Sequence, residues 1–494
     1  MAIDTTSTTA PVAEPAAPRL SPRDRLVLFV LCAAQFMVAL DFSVLNVALP
    51  VLGADLGMST SALQWAVTAF ALPSGGFLLL FGRMGDLYGR RRLFLAGLAL
   101  FGAASLLAAF AWDPASFLAG RALQGLGAAA IVPTGMSLLT TTFPEGPARD
   151  RALGISGTLL SLGFTVGMVA GGVLTDLLSW RSTMGLLALF ALVVLPLAPA
   201  LLPESLPHGV KGMGGAPVPE RPRLDVPGAV TVTGGLLALI YALSTAAEHG
   251  FGRTDVLVTL VAGLLLLAAF ALVESRTDQP LVSLPMLRRR TVAWGNLGGL
   301  VTFSMMSTVV FVLTLYLQEI LGLTAFETGL VFGVQGVLSV VAGSYAPRVI
   351  GRFGARRTLV GSLAGQGVLV LSLLALGQGG WSVVLATAAV SLASMCHLGA
   401  IISYGLTVTS GVPDEEQGLA TGLVTSTQQV GVTVGIPLLG VLATTSSDLM
   451  SGVHTVLVLD AVIVLAAAAL VAAGLRTRRT TGSGTVEAEP LRAR

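Results

Sequence analysis

Fourteen apolar runs of about 20 residues, parted by short segments that hold nearly all the charge, dominate this 494-residue chain. They lie at 26–49, 62–81, 93–112, 115–139, 152–176, 182–202, 228–247, 256–274, 292–318, 328–347, 357–376, 381–408, 417–443 and 453–475. A helix rises about 1.5 Å per residue, so each run matches the ~30 Å hydrocarbon core of a bilayer. Only 11% of the residues are charged and 54% are hydrophobic, whereas a soluble domain is roughly 25% charged. So little charge cannot cover the surface of a soluble protein of this size. The reading is an all-α integral membrane protein whose main partner is the lipid bilayer. A net charge of +2 gives no footprint for nucleic acid.

Residue usage excludes several chemistries. Cys32 and Cys396 stand far apart in apolar runs, without a C-x-x-C or a histidine spacing that would suggest a metal. Lys211 is the one lysine and does not follow a glycine-rich loop, so no phosphate cradle for ATP is present. H-E-x-x-H and G-x-S-x-G are absent. Gly125-Leu126-Gly127-Ala128-Ala129-Ala130 fits a loose G-x-G-x-x-A, but it lies inside an apolar run with no strand before it. The expectation is a chain that is not an enzyme and uses no cofactor and no metal.

Basic residues check the span count, because cytoplasmic loops collect Lys and Arg. With the N-terminus inside, 25 of the 28 basic residues fall in inside segments. Arg181 and Arg253 fall outside, and Arg121 lies within the fourth span. Miscounting one span would scramble this asymmetry, so both termini are expected in the cytoplasm. Tryptophan prefers the membrane interface, and Trp65, Trp112, Trp180 and Trp381 fall at outer span ends, with Trp294 at an inner one. Arg19, Arg23 and Arg25 precede a run that is too long for a signal peptide and contains Asp41.

One sequence echo organises the chain. Gly82-Arg83-Met84-Gly85-Asp86-Leu87-Tyr88-Gly89-Arg90-Arg91-Arg92 joins spans 2 and 3, and Gly351-Arg352-Phe353-Gly354-Ala355-Arg356-Arg357 joins spans 10 and 11. The offset is 265 residues, or eight spans, where two directly joined six-span repeats would give six. Two spans are therefore inserted between the halves. The expected division is a disordered cytoplasmic tail 1–24, a six-helix half 25–202, a linker with two inserted helices 203–291, a six-helix half 292–475 and a tail 476–494. Parallel repeats of this kind occur in secondary transporters, with the substrate site between the halves.

Four motifs now carry a resemblance. Leu40-Asp41-Phe42-Ser43-Val44-Leu45-Asn46-Val47-Ala48-Leu49-Pro50 is similar to L-D-x-T-V-x-N-V-A-L-P, and the 82–92 loop to G-x-x-x-D-x-x-G-R-R. Arg121-Ala122-Leu123-Gln124-Gly125-Leu126-Gly127 is similar to R-x-x-Q-G-x-G, and Gly154, Gly163, Gly167, Gly171 and Gly172 have the spacing of an antiporter motif. Over residues 25–475 the chain resembles the major facilitator superfamily, in its 14-helix drug:proton antiporter branch. It departs at Met168, where that motif has proline, and at Gly351, which replaces the counterpart of Asp86.

The resemblance implies a proton-coupled antiporter that exports apolar or cationic organic compounds by alternating access, as a monomer in a bacterial plasma membrane. Its partners would be a small-molecule substrate and protons. An exporter or importer of a metabolite (amino acid, sugar or siderophore) stays open as the alternative, as does a transport-inactive membrane sensor. Gly82, Asp86, Gly89, Arg90 and Arg91 would form a gating latch, and the span 5 glycines the seam between halves.

The residues themselves agree. A carboxylate inside a span is expensive unless paired or facing water. Asp41 and Arg121 stand at depths about 4–5 Å apart by helix rise, so they can pair, either as a static lock or as a proton-coupling pair. Asp460 in span 14 can join the proton path or pair with a neighbour. His397 can be a hydrogen-bonded packing histidine, or a substrate or proton contact. Asn46, Phe303, Met305, Met306 and Tyr404 are candidate cavity wall, with a lipid-facing position as the alternative for the last four, and Gln428 and Gln429 are candidate packing.

Overall fold

A computed structural model describes residues 21–143, 147–202, 225–250, 252–277, 284–412, 417–440 and 448–476, with Leu442, Ala443 and Ser446. Of the expected tails and linker, 1–20, 203–224, 251, 278–283 and 477–494 lie outside the described residues. The described chain is helical throughout. The first half contains α1 (Pro22–Leu56), α2 (Thr60–Gly76), α3 (Leu78–Tyr88), α4 (Arg90–Ala109), α5 (Pro114–Thr142), α6 (Pro147–Leu177) and α7 (Trp180–Leu201). Next come α8 (Val226–His249), α9 (Thr254–Glu274) and the short α10 (Leu284–Leu287). The second half contains α11 (Arg290–Leu315), α12 (Ala325–Phe353), α13 (Ala355–Ser372), α14 (Trp381–Thr409), α15 (Gln417–Gly435) and α16 (Leu449–Gly474).

Helices therefore stand at every one of the expected positions. Twelve are long and apolar enough to cross a bilayer, and the bent α2–α3 pair makes a thirteenth among the described residues. α15 holds the remaining position but is rich in Thr, Ser and Gln and falls short of that hydropathy. Span 2 is broken rather than straight: α2 and α3 meet at 43° around Phe77. Pro73 and the Gly75-Gly76 pair remove helix-stabilising groups just before the break.

Local chemistry sets the ends. Ser21 caps α1 in a reciprocal box with Asp24, which starts that helix at Pro22. Asp113 with Ser116, and Thr324 with Glu327, make the same box at α5 and α12. The echoed loops share one geometry: Gly89 has φ 106° and Gly354 φ 80°, each forming the corner between two antiparallel helices. Side chains rarely adopt that region, so glycine at both corners follows from the turn itself.

Packing repeats as well. α1 packs on α6 and α7, and α11 packs on α15 and α16. In the first half Gly163, Gly167 and Gly171 let α6 approach α1: a Cβ on Gly171 would lie 2.8 Å from Val44 O. In the second, Gly431 and Gly435 do so for α15 on α11, and a Cβ on Gly431 would lie 2.9 Å from Leu300 O. α8 lies against α2, with Thr233 donating to Gly76 O at 2.7 Å, and also meets the π-turn Ile436–Gly440 of the second half. α9 packs on α8 and is otherwise exposed.

Two features depart from the simple interface picture. Trp180 stands at a helix end but is buried, edge-on to Phe117 at 5.5 Å, with Nε1 donating to Asp55 Oδ2 at 2.9 Å. Arg181 pairs with the same Asp55, and Arg253 with Asp255 at 2.8 Å. The two arginines expected on the charge-poor side are thus each met by an aspartate.

Candidate functional site

Asp41 and Arg121 are both fully buried, and Arg121 Nη1 donates to Asp41 Oδ1 at 2.6 Å. The same nitrogen donates to Gln124 Oε1 at 2.9 Å, and Nε donates to Ala66 O at 3.1 Å. Gln124 Nε2 in turn donates to Ser105 Oγ at 2.8 Å, and Ser105 to Phe101 O at 2.7 Å. The guanidinium carbon lies 4.6 Å above the Phe70 ring, within range of a cation–π contact. Partners from α1, α2 and α5 converge on one guanidinium, and α4 joins the network through Ser105 and Gln124. Burying a lone arginine here would cost several kcal/mol, and this set of acceptors offsets that cost.

Each position in Arg121-x-x-Gln124-Gly125-x-Gly127 has a separate task. Gln124 stands one helical turn from Arg121 and shares its Nη1. A Cβ on Gly125 would lie 2.2 Å from Phe70 O, so glycine brings α2, and with it Ala66 O and Phe70, onto Arg121. A Cβ on Gly127 would lie 2.9 Å from Gly97 O, so it brings in α4, the helix that carries Ser105. The network is not closed. Asp41 Oδ2 and Arg121 Nη2 are buried without hydrogen-bond partners among the described residues.

The antiporter glycines divide between two neighbours. Gly163, Gly167 and Gly171 face α1, whereas a Cβ on Gly172 would lie 2.5 Å from Ala325 O of α12, in the other half. A Cβ on Gly154 would meet no atom of another element within 4 Å among the described residues. Met168, the departure from the motif, presents its carbonyl to Gly329 of α12.

Contacts between the halves gather at one end of the helices, which we call the distal end. There Asp176 Oδ2 accepts from Phe326 N at 2.9 Å, and Gln318 Nε2 donates to Val47 O at 2.8 Å. Gly329, Gly333 and Gly336 of α12 pack on Met168, Val169 and Thr165 of α6. Following the same helix faces toward the end that holds Pro22 and Gly474, Thr158 on α6 and Val340 and Ser344 on α12 are exposed. Among the described residues the halves pack together at the distal end, and the same helix faces are uncovered at the other.

The remaining candidates fall elsewhere. Gly82 lies against Pro133, and Arg91 donates to Pro199 O; the side chain of Asp86 is outside the described residues. Arg90 also takes part in polar contacts. Asn46 is buried, with Nδ2 donating to Phe42 O at 3.0 Å. Phe303, Met305 and Met306 are buried on α11, and Tyr404 is buried with its hydroxyl donating to Val424 O at 2.8 Å. His397 is half-buried and edge-on to Phe303 at 5.2 Å. Asp460 is fully buried, and neither carboxylate oxygen has a partner among the described residues. Gln428 is half-buried, and the side chain of Gln429 lies outside the described residues. Sequence reasoning missed Ala66 O and Phe70 as partners of Arg121, and Ser105 as the acceptor that holds Gln124. Gln124 was present in the motif and could have been singled out by its one-turn spacing from the arginine.

Comparison with known proteins agrees with this architecture. The chain is 37% identical to a cephamycin export protein of Amycolatopsis lactamdurans, covering 94% of this chain and 95% of that one. It is 38% identical to a puromycin resistance protein of Streptomyces alboniger, over 88% and 84%. It is 34% identical to a probable actinorhodin transporter of Streptomyces coelicolor, over 84% and 72%. A POT family transporter of solved structure shares the fold, with TM-score 0.67 at 15% identity over 92% of this chain and 98% of that one. The sequence pattern of the Major Facilitator Superfamily matches residues 31–430 and again 295–493, and the chain belongs to that superfamily of membrane transporters.

Proposed function

We propose that this protein is a proton-coupled antiporter that exports apolar or cationic organic compounds, antibiotics among them, across a bacterial plasma membrane by alternating access. The observation that carries the reading is the buried Asp41–Arg121 pair, with one carboxylate oxygen and one guanidinium nitrogen left without partners. A proton arriving at Asp41 Oδ2 cancels the carboxylate charge and releases Arg121, which keeps its bonds to Gln124 and Ala66 O. Losing the proton restores the pair. The charge on α1 is thereby linked to the position of α5, and α1 is the helix on which the glycine face of α6 slides.

The named relatives support the substrate class, since they export or confer resistance to antibiotics. The positive-inside bias supports placing both termini in the cytoplasm, which makes the described conformation open to the cytoplasm. Asp86 and the following arginines stand at that mouth and act as the latch that closes it. One charge moving through 100 mV releases about 2.3 kcal/mol, enough for a substrate ratio of roughly 50-fold without ATP. The protein works as a monomer.

The test is accumulation in everted membrane vesicles carrying the wild type or Asp41→Asn, over a panel of dyes and antibiotics with and without a proton gradient. Gradient-dependent transport that Asp41→Asn abolishes is expected. Transport indifferent to both would discard the antiport reading.

A further inference from the structure

Among the described residues the second half has no buried ion pair like Asp41–Arg121, yet it holds a polar cluster on the helices that correspond to α1, α4 and α5. Thr302 on α11 lies with Oγ1 2.6 Å from Gln366 Oε1 on α13 and 2.8 Å from His397 Nδ1 on α14. Thr302 and Gln366 are fully buried, and His397 is half-buried. Proton counting sets the sense of this relay. A carboxamide oxygen only accepts, and a hydroxyl has one proton. Thr302 therefore donates to Gln366, and its oxygen accepts from Nδ1–H of His397. That makes His397 the Nδ1–H tautomer, with a lone pair on Nε2. Nε2 makes no hydrogen bond among the described residues.

The helix face tells where that lone pair stands. Leu392 and Leu406 are 45% and 48% exposed and mark the outward face of α14. At about 100° per residue, His397 lies roughly 140–180° around from both. Its exposed edge is turned to the protein interior and not to lipid. Phe303 stands edge-on to the imidazole at 5.2 Å and to Tyr404 at 6.2 Å, and the Tyr404 hydroxyl is tied to Val424 O. The ring is held on its Nδ1 side by the relay and packed edge-on against Phe303, which in turn meets Tyr404, leaving Nε2 open to the space between the halves.

We infer that His397 is a substrate contact that accepts a hydrogen bond from an N–H or O–H of the transported molecule, and that Thr302 and Gln366 are positioning residues that hold it in the accepting tautomer. The substrate class is an aromatic compound with an amine or hydroxyl donor. This rests on the reading above that substrate binds between the halves. A buried acceptor left unpaired by the ligand is costly, so the site distinguishes aromatic cations by whether they carry a donor.

The test is binding to purified full-length protein in nanodiscs, read with two probes: ethidium, which has two aromatic amines, and tetraphenylphosphonium, which has no hydrogen-bond donor. One hydrogen bond corresponds to about 3–10-fold in affinity. His397→Leu is expected to weaken ethidium by that factor and leave tetraphenylphosphonium within about 2-fold, the same factor serving as the floor of a real effect. Thr302→Val moves ethidium in the same direction, Thr302→Ser restores it, and His397→Gln, which keeps an acceptor near the Nε2 position, retains most of it. The chain has four histidines, so nitrogen-15 NMR of the wild type against His397→Gln isolates this ring. A protonated Nδ1 and a bare Nε2 are expected, with the bias lost in Thr302→Val. Equal losses for both probes, no loss for either, no ethidium binding, or the opposite tautomer would each overturn the inference. Normal binding without proton-driven efflux would instead discard antiport and leave this contact standing.

Discussion

Arg121 Nη1 donates at once to Asp41 Oδ1 at 2.6 Å and to Gln124 Oε1 at 2.9 Å, so one nitrogen joins the charge on α1 to a neutral chain that runs through Gln124 to Ser105 on α4. Loss of the carboxylate charge leaves this nitrogen with an acceptor. The arginine can therefore remain buried in either protonation state of Asp41, which a simple two-residue bridge would not allow.

The pair makes a sharp stability prediction. Arg121→Leu leaves a buried carboxylate without its cation and is expected to cost about 3–5 kcal/mol. Asp41→Leu does the same to the arginine. The double variant removes both charges and is expected to be more stable than either single one, read as the thermal unfolding midpoint in detergent. Additive losses would contradict the description of the pair.

The glycines of α6 separate by neighbour. Gly171→Ala drives a Cβ to 2.8 Å from Val44 O, whereas the surroundings of Gly154 are open. Overpacking of this kind costs about 1–3 kcal/mol, so Gly171→Ala should lower the unfolding midpoint and slow efflux. Gly154→Ala should leave the midpoint unchanged in the described conformation. Equal effects at the two positions would show that the motif acts through the helix itself and not through α1.

The distal closure rests on few polar contacts. Asp176 accepts from Phe326 N in the first turn of α12, where the helix dipole favours a negative charge. Asp176→Ala removes a contact of about 0.5–2 kcal/mol from the closed distal end alone. The population open at that end should rise several-fold, read as a longer spin-label distance between the distal ends of α6 and α12. An unchanged distance distribution would mean that apolar packing of Gly172 and Gly329 closes the end unaided.

Much of this was legible in the amino-acid order, for reasons that differ by residue. Helix positions could be read because a bilayer demands a fixed apolar length, and Asp41 and Arg121 because charge inside such runs is rare enough to mean something. Gly89 and Gly354 could be read from the echo of one loop in another, and both proved to be the same positive-φ corner. Ser105, Thr302 and Gln366 gave no signal, since uncharged polar residues are ordinary in helices and their roles depend on neighbours dozens of residues away. Trp180 was legible as a helix-end residue, but its burial against Asp55, 125 positions earlier in the chain, was not. The break at Phe77 had its cause in plain view at Pro73, but an unbroken apolar run concealed it.

Proton movement through Asp41 is the centre of the account, and it is read most directly in proteoliposomes loaded with a pH-sensitive dye. A substrate gradient imposed on the wild type should drive protons the opposite way, while Asp41→Asn should still exchange labelled for unlabelled substrate across the membrane with no proton flux. Proton movement that persists in Asp41→Asn, in step with substrate, would contradict the claim that this carboxylate carries the coupling.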